Sequence, residues 1–366
     1  QLLGGGPTAR MMKMGYAGVT NEPVTDVQEE EEEKLLQERK DAVLLHHYYQ
    51  NKEASQDGKM SDFYNEMMDG AETFSATEAE LDNYARNTIN LGLIQPHGVF
   101  VAIDSETEKV LAVSTNAAVF FGDEPQALFG IKASELFQES TKAEQAMRAE
   151  NTSLLNPVGL TVKKTATPVQ IVLEKKPWCT TMEIEAMAGD MHGNSGLWAS
   201  HSKVRSIVDG LRSPRNLQSL IDFAVKEIKE FARYDRIMVY RFHDDFHGEV
   251  VGEAASEGLE TSYMGLHFPA TDIPQRARDV FTSCRVRQVV DFQAQAVEIA
   301  WPDANPNESI LNSNMTLRAV HPCHVEYCEA MGIRASLVLS VMTGQKLWGL
   351  FVCHKYDAPH FLPYSK

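Results

Sequence analysis

No cysteine stands before position 179, and the whole chain holds five: Cys179, Cys284, Cys323, Cys328 and Cys353. An odd count in a long chain without an export signal argues against a disulfide framework and for reduced thiols. No apolar run approaches the ~18 residues of a membrane-spanning helix. The Gly-rich, polar stretch Gln1–Met14 has no apolar core of the kind a signal peptide needs. Basic residues are scarce, 34 against 51 acidic ones, for a net charge of −17. Such a surface repels nucleic acid and anionic membranes, so neither is expected as a partner. A cytoplasmic protein fits these absences. The chain begins with Gln rather than Met, so a longer natural N-terminus is expected.

What is present suffices for two domains and an extension: 366 residues, 43% of them hydrophobic. Residues 1–75 open on Gly4-Gly5-Gly6-Pro7 and carry the acidic run Glu29–Glu33, which reads as a largely flexible, poorly packed extension. Within it, Glu30–Glu53 lacks Gly and Pro and can be helical. Leu35, Leu36, Val43, Leu44 and Leu45 give that helix a broken apolar stripe suited to dimer contact.

Residues 76–200 read as a mixed α/β domain. Val99–Asp104 and Lys109–Ser114 form a hairpin, followed by a short helix Ala117–Phe121 with Asn116 as N-cap. A further short helix near Ala133–Phe137 and strands Val169–Leu173 and Thr180–Ala186 complete it. Residues 201–366 begin with an amphipathic helix, Asn216–Tyr234, whose apolar residues recur at three- and four-residue spacing. Strands Arg236–Phe242 and Glu249–Glu253 follow. A long irregular stretch, Asp291–Leu317, is of a kind that is usually functional. A helix, Cys323–Met331, and a hairpin, Ala335–Met342 with Leu347–His354, end the domain.

The densest chemistry is His321-Pro322-Cys323-His324, with Tyr327 and Cys328 one turn on. A thiolate is the competent nucleophile or metal ligand, and flanking histidines can favour it. Four readings stay open from the residues alone: plain packing, a zinc site of His321, Cys323, His324 and Cys328, a Cys–His hydrolase nucleophile, and covalent attachment of a prosthetic group. Phe268-Pro269-Ala270-Thr271-Asp272-Ile273-Pro274 sets one acid inside an apolar turn that two prolines restrict. Arg276, Arg278, Arg285, Arg287 and Arg318 are either solvated surface charges or carboxylate clamps. Alternation puts His354 on the strand face of Leu350 and Val352, and Tyr240 ends another strand.

Taken in order, these segments resemble the phytochrome photosensory module. Ile94–Gly98, Asp235–Phe242, Phe268–Pro274, Leu317–Tyr327 and Trp348–His354 are similar to that family's motifs over residues 85–366. The resemblance implies an α+β fold: a PAS and a GAF domain, each a central antiparallel sheet flanked by helices. The two are joined by a figure-of-eight knot, with residues 291–317 as the loop threaded near Ile94. It further implies a linear tetrapyrrole in the GAF pocket and a thioether to Cys323. The Asp272 carbonyl would accept from pyrrole N–H groups. His324 would lie over the ring nitrogens and His354 would bond the D-ring carbonyl. Tyr240, Phe268 and Tyr327 would pack round the D-ring, with Ile273, Pro274 and His321 also in the site. Arg287, Arg318 and Ser336 would hold the propionates. Pro322 departs from the Gly of the plant-type motif. The missing upstream cysteine points to phycocyanobilin or phytochromobilin rather than biliverdin. The family reading is a homodimeric red/far-red photoreceptor, not itself an enzyme in this stretch, cytoplasmic with a nuclear pool after light activation. Its output region would lie outside a chain that stops at Lys366. The rivals are a non-photoactive GAF sensor for a small ligand such as a cyclic nucleotide, and an interaction-only scaffold.

Overall fold

The computed structural model describes residues 25–54, 92–187, 202, 204–259, 261–302 and 315–362. The strands are β1 (Leu93–Ile94), β2 (Gly98–Asp104), β3 (Val110–Ser114), β4 (Val158–Thr161), β5 (Pro168–Lys175) and β6 (Cys179–Ala186) in the first half. The second half supplies β7 (Arg236–Phe242), β8 (Gly248–Ala255), β9 (His267–Phe268), β10 (Val286–Val289), β11 (Val297–Ala300), β12 (Ala335–Thr343) and β13 (Lys346–Lys355). They build two antiparallel sheets, ordered β1-β11-β3-β2-β6-β5-β4 and β10-β12-β13-β7-β8-β9, so the fold is α+β. Helices are α1 (Thr25–Ala54), α2 (Ala117–Phe121), α3 (Pro125–Leu128), α4 (Ser140–Arg148), α5 (Leu217–Ala232), α6 (Gln275–Ser283) and α7 (Pro322–Ala330).

In the first sheet β2 is buried on both faces, which is why its sequence is a continuous apolar run rather than an alternating one. One face carries Val99, Val101 and Ile103 against α2, α3 and α4. The other carries Phe100 and Ala102, and what covers them comes from the second half: Val297, Ile299, Trp301, Met315 and Leu317. The irregular stretch expected over 291–317 therefore contains a strand, β11, which pairs with β1 and β3. A strand of four residues with one charged position leaves little periodic signal. Ile94 also bridges Arg318, so the β1 segment is bonded on both sides by second-half chain. The expected knot would close through 303–314, which lie outside the described residues.

Asn116 does not cap α2 with its side chain. It donates to the Gly98 carbonyl at 2.8 Å and accepts from Ser114 Oγ at 2.7 Å, tying the strand ends together. The helix near Ala133 is a 3-10 turn, Ala133–Leu136. The extension is not uniformly loose. In α1, Gln37, Asp41 and Ala42 are buried, while Leu35 and Leu36 of the supposed stripe are exposed. Asp41 accepts from the Gln275 backbone N–H at 2.8 Å, supplying the cap that Pro274 cannot give α6, and Glu38 pairs with Arg276 at 3.1 Å.

The second sheet divides by alternation, broken at two bulges. Ile237, Val239, Leu337 and Cys353 face α5, meeting Ile221 and Val225. Met238, Tyr240, Val250 and Leu350 face the opposite way, with Phe268, Ile273, Phe281, Val338 and Val352. On β13 the pocket side thus takes Leu350 and Val352, until a bulge between Val341 and Met342 swaps the faces and puts Leu347 there instead. Ser336 and His354 are paired neighbours of that even parity.

Candidate functional site

Helix α7 stands beside this face. Pro322 occupies its first turn, where a missing N–H costs nothing, so the departure from Gly is compatible with the helix. His321 caps it: Nδ1 accepts from the Cys323 N–H at 3.2 Å, which leaves the ring proton on Nε2. The sequence placed His321 beside the thiol but did not show that capping role. His324 lies 3.6 Å by Nε2 from Cys328 Sγ, near-parallel to Tyr327 and edge-on to Phe292. His324 keeps an exposed surface, yet protein atoms crowd round it on its other sides. That crowding, with the charge of Arg287, holds its pKa below the ordinary imidazole value.

The five thiols differ sharply. Cys179, Cys284, Cys328 and Cys353 are buried, and Cys323 alone is partly exposed. Burial pushes the pKa of all four buried thiols up, that of Cys328 to about 12.

Opposite α7, His354 is 8% exposed and its Nδ1 has no hydrogen-bond partner. Burial, then the charges of Arg236 and His324, lowers its pKa to about 3, so the ring is neutral. Tyr240 packs on Phe242 and Phe268 at ring-centroid distances of 5.3 and 6.0 Å. It lies so close over Gly248 that a Cβ there would fall 1.7 Å from the ring. Burial and the nearby Asp272 carboxylate raise the pKa of Tyr240. Crowding by protein, with the same carboxylate, raises that of Tyr327 although it is 42% exposed, which gathers these three residues. Asp272 ends a short 3-10 turn, Ala270–Asp272, that leads through Ile273 and Pro274 into α6.

Arg287 donates to the carbonyls of Thr316 and Ala319, each at 3.1 Å. Burial and the neighbouring Arg318 lower its pKa, so two guanidiniums share one region near His324. Arg278 is not a surface charge: it is 5% exposed, donates to the Phe246 carbonyl at 2.9 Å and stacks on the Phe246 ring. Arg276 is spent on Glu38.

Two residues escaped the sequence reading. Arg236, buried, pairs with Glu253 at 3.0 Å and lies 3.9 Å over the Tyr263 ring. Its place next to Asp235 at the start of β7 carried no signal of burial. Glu183 of β6 is buried and accepts from the Leu317 N–H at 2.5 Å and from Thr316 Oγ1 at 2.9 Å, just ahead of Arg318. An acid between the apolar Met182 and Ile184 of the strand was the available clue.

Residues 85–187 match the family model described as PAS fold, and residues 216–365 the one described as GAF domain. Phytochrome E of Ipomoea nil is 34% identical over 335 residues, which span 86% of this chain and 29% of that protein. The phytochrome of Mougeotia scalaris is 32% identical over 302 residues, 74% of this chain and 27% of that protein. The chain thus spans under a third of the length of these relatives. The solved chromophore-binding domain of Stigmatella aurantiaca phytochrome P1 superposes with a TM-score of 0.71 at 27% identity, over 76% of this chain and 92% of that one. With both domain matches adjoining in the order of the motifs, and with sequence and fold leading to the same set of proteins, the chain belongs to the phytochrome family through its PAS–GAF module.

Proposed function

We propose that the chain is the pigment-binding sensory module of a red/far-red photoreceptor and holds a linear tetrapyrrole covalently at Cys323. The contrast among the thiols carries this reading: one partly exposed cysteine, on a helix facing the pocket side of the sheet, against four that burial makes poor nucleophiles. The buried, unpartnered Nδ1 of His354 supports a polar ligand there, because an orphaned buried nitrogen is costly without one. Two adjacent guanidiniums suit the carboxylates such a pigment carries.

The bilin, when bound, supplies visible absorption and a double bond between its C and D rings that light can isomerise. Cys323 would add its sulfur across the ring-A side-chain double bond, the thiol proton going to the neighbouring carbon. His354, held neutral, can donate or accept but not repel. Tyr240, Phe268 and Tyr327 would bound the moving ring, Asp272 and His324 would orient the pyrrole nitrogens, and Arg287, Arg318 and Ser336 would hold the propionates. On this reading the PAS domain lies within 76–200 and the GAF domain within 201–366. The pigment is phycocyanobilin or phytochromobilin, and the receptor works as a cytoplasmic homodimer. Co-expression with bilin-producing enzymes tests it. A red band that shifts reversibly under red and far-red light is expected, and Cys323→Ala should lose pigment from a denaturing gel while Cys328→Ala keeps it. A colourless product, or pigment retained by Cys323→Ala, would overturn it.

A further inference from the structure

The turn joining β7 to β8 gathers histidines that the pigment site does not use. The His243 N–H donates to the His247 carbonyl at 2.9 Å, and Phe246 takes a left-handed conformation, closing a tight loop that stacks the two rings 4.2 Å apart at 7°. His267 of β9 pairs in register with Glu249, which carries it alongside. His247 Nε2 lies 3.0 Å from His267 Nδ1, and one ligand nitrogen from each of the three lies within 4.8 Å of the others. Carboxylates back two of the rings: Asp245 on His247 Nδ1 and Glu249 on His243 Nε2, at 2.5 and 2.9 Å. If those nitrogens carry the protons, His247 Nε2 and His243 Nδ1 are left as lone pairs, the orienting arrangement metal-bound imidazoles use. Two nitrogens of a tetrahedral zinc shell lie about 3.3 Å apart, given bonds of 2.0–2.1 Å. The 3.0 Å between His247 and His267 needs a slight opening, and His243, within 4.8 Å of both, closes by up to about 1.5 Å. His243 and His247 also have the His-x3-His spacing common in zinc sites.

We propose that His243, His247 and His267 form a zinc-class divalent metal site at the end of the β7–β8 hairpin. His267 is exposed and the other two half-buried, so the fourth position is open to water. Zinc there would tie the hairpin end to β9, the strand that runs into Phe268 and Asp272. The proposal is independent of the pigment. Its test is zinc titration against a chelating dye, with the untagged 366-residue chain expressed without bilin so that pyrrole nitrogens do not compete. One saturable zinc is expected, with an X-ray absorption shell of nitrogen and oxygen only near 2.0 Å. His247→Ala and His267→Ala should each weaken binding at least tenfold, and Cys323→Ser should leave it unchanged. Metal-free melts of the variants control for folding, and the exposed His267 carries the test should His247→Ala melt early. Absence of saturable binding, a sulfur-containing shell, or unchanged affinity in His267→Ala would overturn the assignment.

Discussion

Replacing Glu183 by Gln should make the protein more stable at alkaline pH. Glu183 sits in the interior of the first domain and accepts the Leu317 N–H and the Thr316 hydroxyl from the second. Burial raises its pKa to about 7 against 4.5 in the absence of the fold, while those two hydrogen bonds pull the value back. The folded protein therefore binds this proton more tightly than the unfolded chain does. Stability due to it is complete below the unfolded pKa and is lost as pH rises through the folded one. About 2.5 units at 1.36 kcal/mol per unit gives about 3 kcal/mol lost by pH 8, and about 1 kcal/mol at pH 5. Gln keeps an acceptor oxygen for both donors and never ionises. The assay is urea unfolding of both proteins from pH 5 to 8, followed by tryptophan fluorescence. The gap should widen with pH in favour of the variant. His324 and His354, whose folded pKa values are lowered, act in the opposite sense: they add stability above the unfolded imidazole pKa and lose it as pH falls. Both proteins share them, so they cancel in the difference. A gap that does not change with pH, or a wild type more stable at pH 8, would refute the reasoning.

Gly248→Ala should cost about 1–3 kcal/mol in unfolding experiments, because the added methyl overlaps the Tyr240 ring and overpacking of this kind is not relieved by a small shift. The same variant should displace Tyr240 against Phe268 and broaden any pigment band. Asp41→Ala removes the cap on the Gln275 N–H and should cost about 1 kcal/mol. Limited proteolysis should show it as faster cleavage within α1, with residues 217–355 still protected.

The second domain was largely legible because its signals are local and periodic. The helix Leu217–Ala232 falls within the expected Asn216–Tyr234, and Asn216 does cap it through Ser219. The hairpin β12–β13 and the pocket-side parity of Leu350, Val352 and His354 follow from alternation alone. What was not legible depends on partners far away in sequence. Four residues of β11 become a strand only because β1 and β3 lie on either side. Asp41 lies in an extension expected to be poorly packed, yet α6 needs a cap and takes it. Arg278 stood open between surface charge and carboxylate clamp, and is neither: it holds the Phe246 carbonyl and ring. Asn116 had the residue type of a helix cap, but strand ends at Gly98 and Ser114 compete for the same side chain. The resemblance to a family named the pocket residues; their enclosure, tautomers and neighbours come from the packing.

Gln95 sets a constraint on the order in which the chain can be completed during synthesis. Its side-chain amide donates to the carbonyls of Gln288, Thr316 and Arg318, and its oxygen accepts from the Val290 N–H. These partners lie 193 to 223 residues downstream. At a typical 5–20 residues per second, the ribosome needs roughly 10–45 seconds to deliver them after Gln95 emerges. Until then β1, whose Ile94 is buried in the finished protein, has no place to go, although the β2–β3 hairpin that follows it can already pair. The opening segment of the first domain is therefore a late addition to its own sheet, and a nascent chain halted before residue 288 should leave it open to protease.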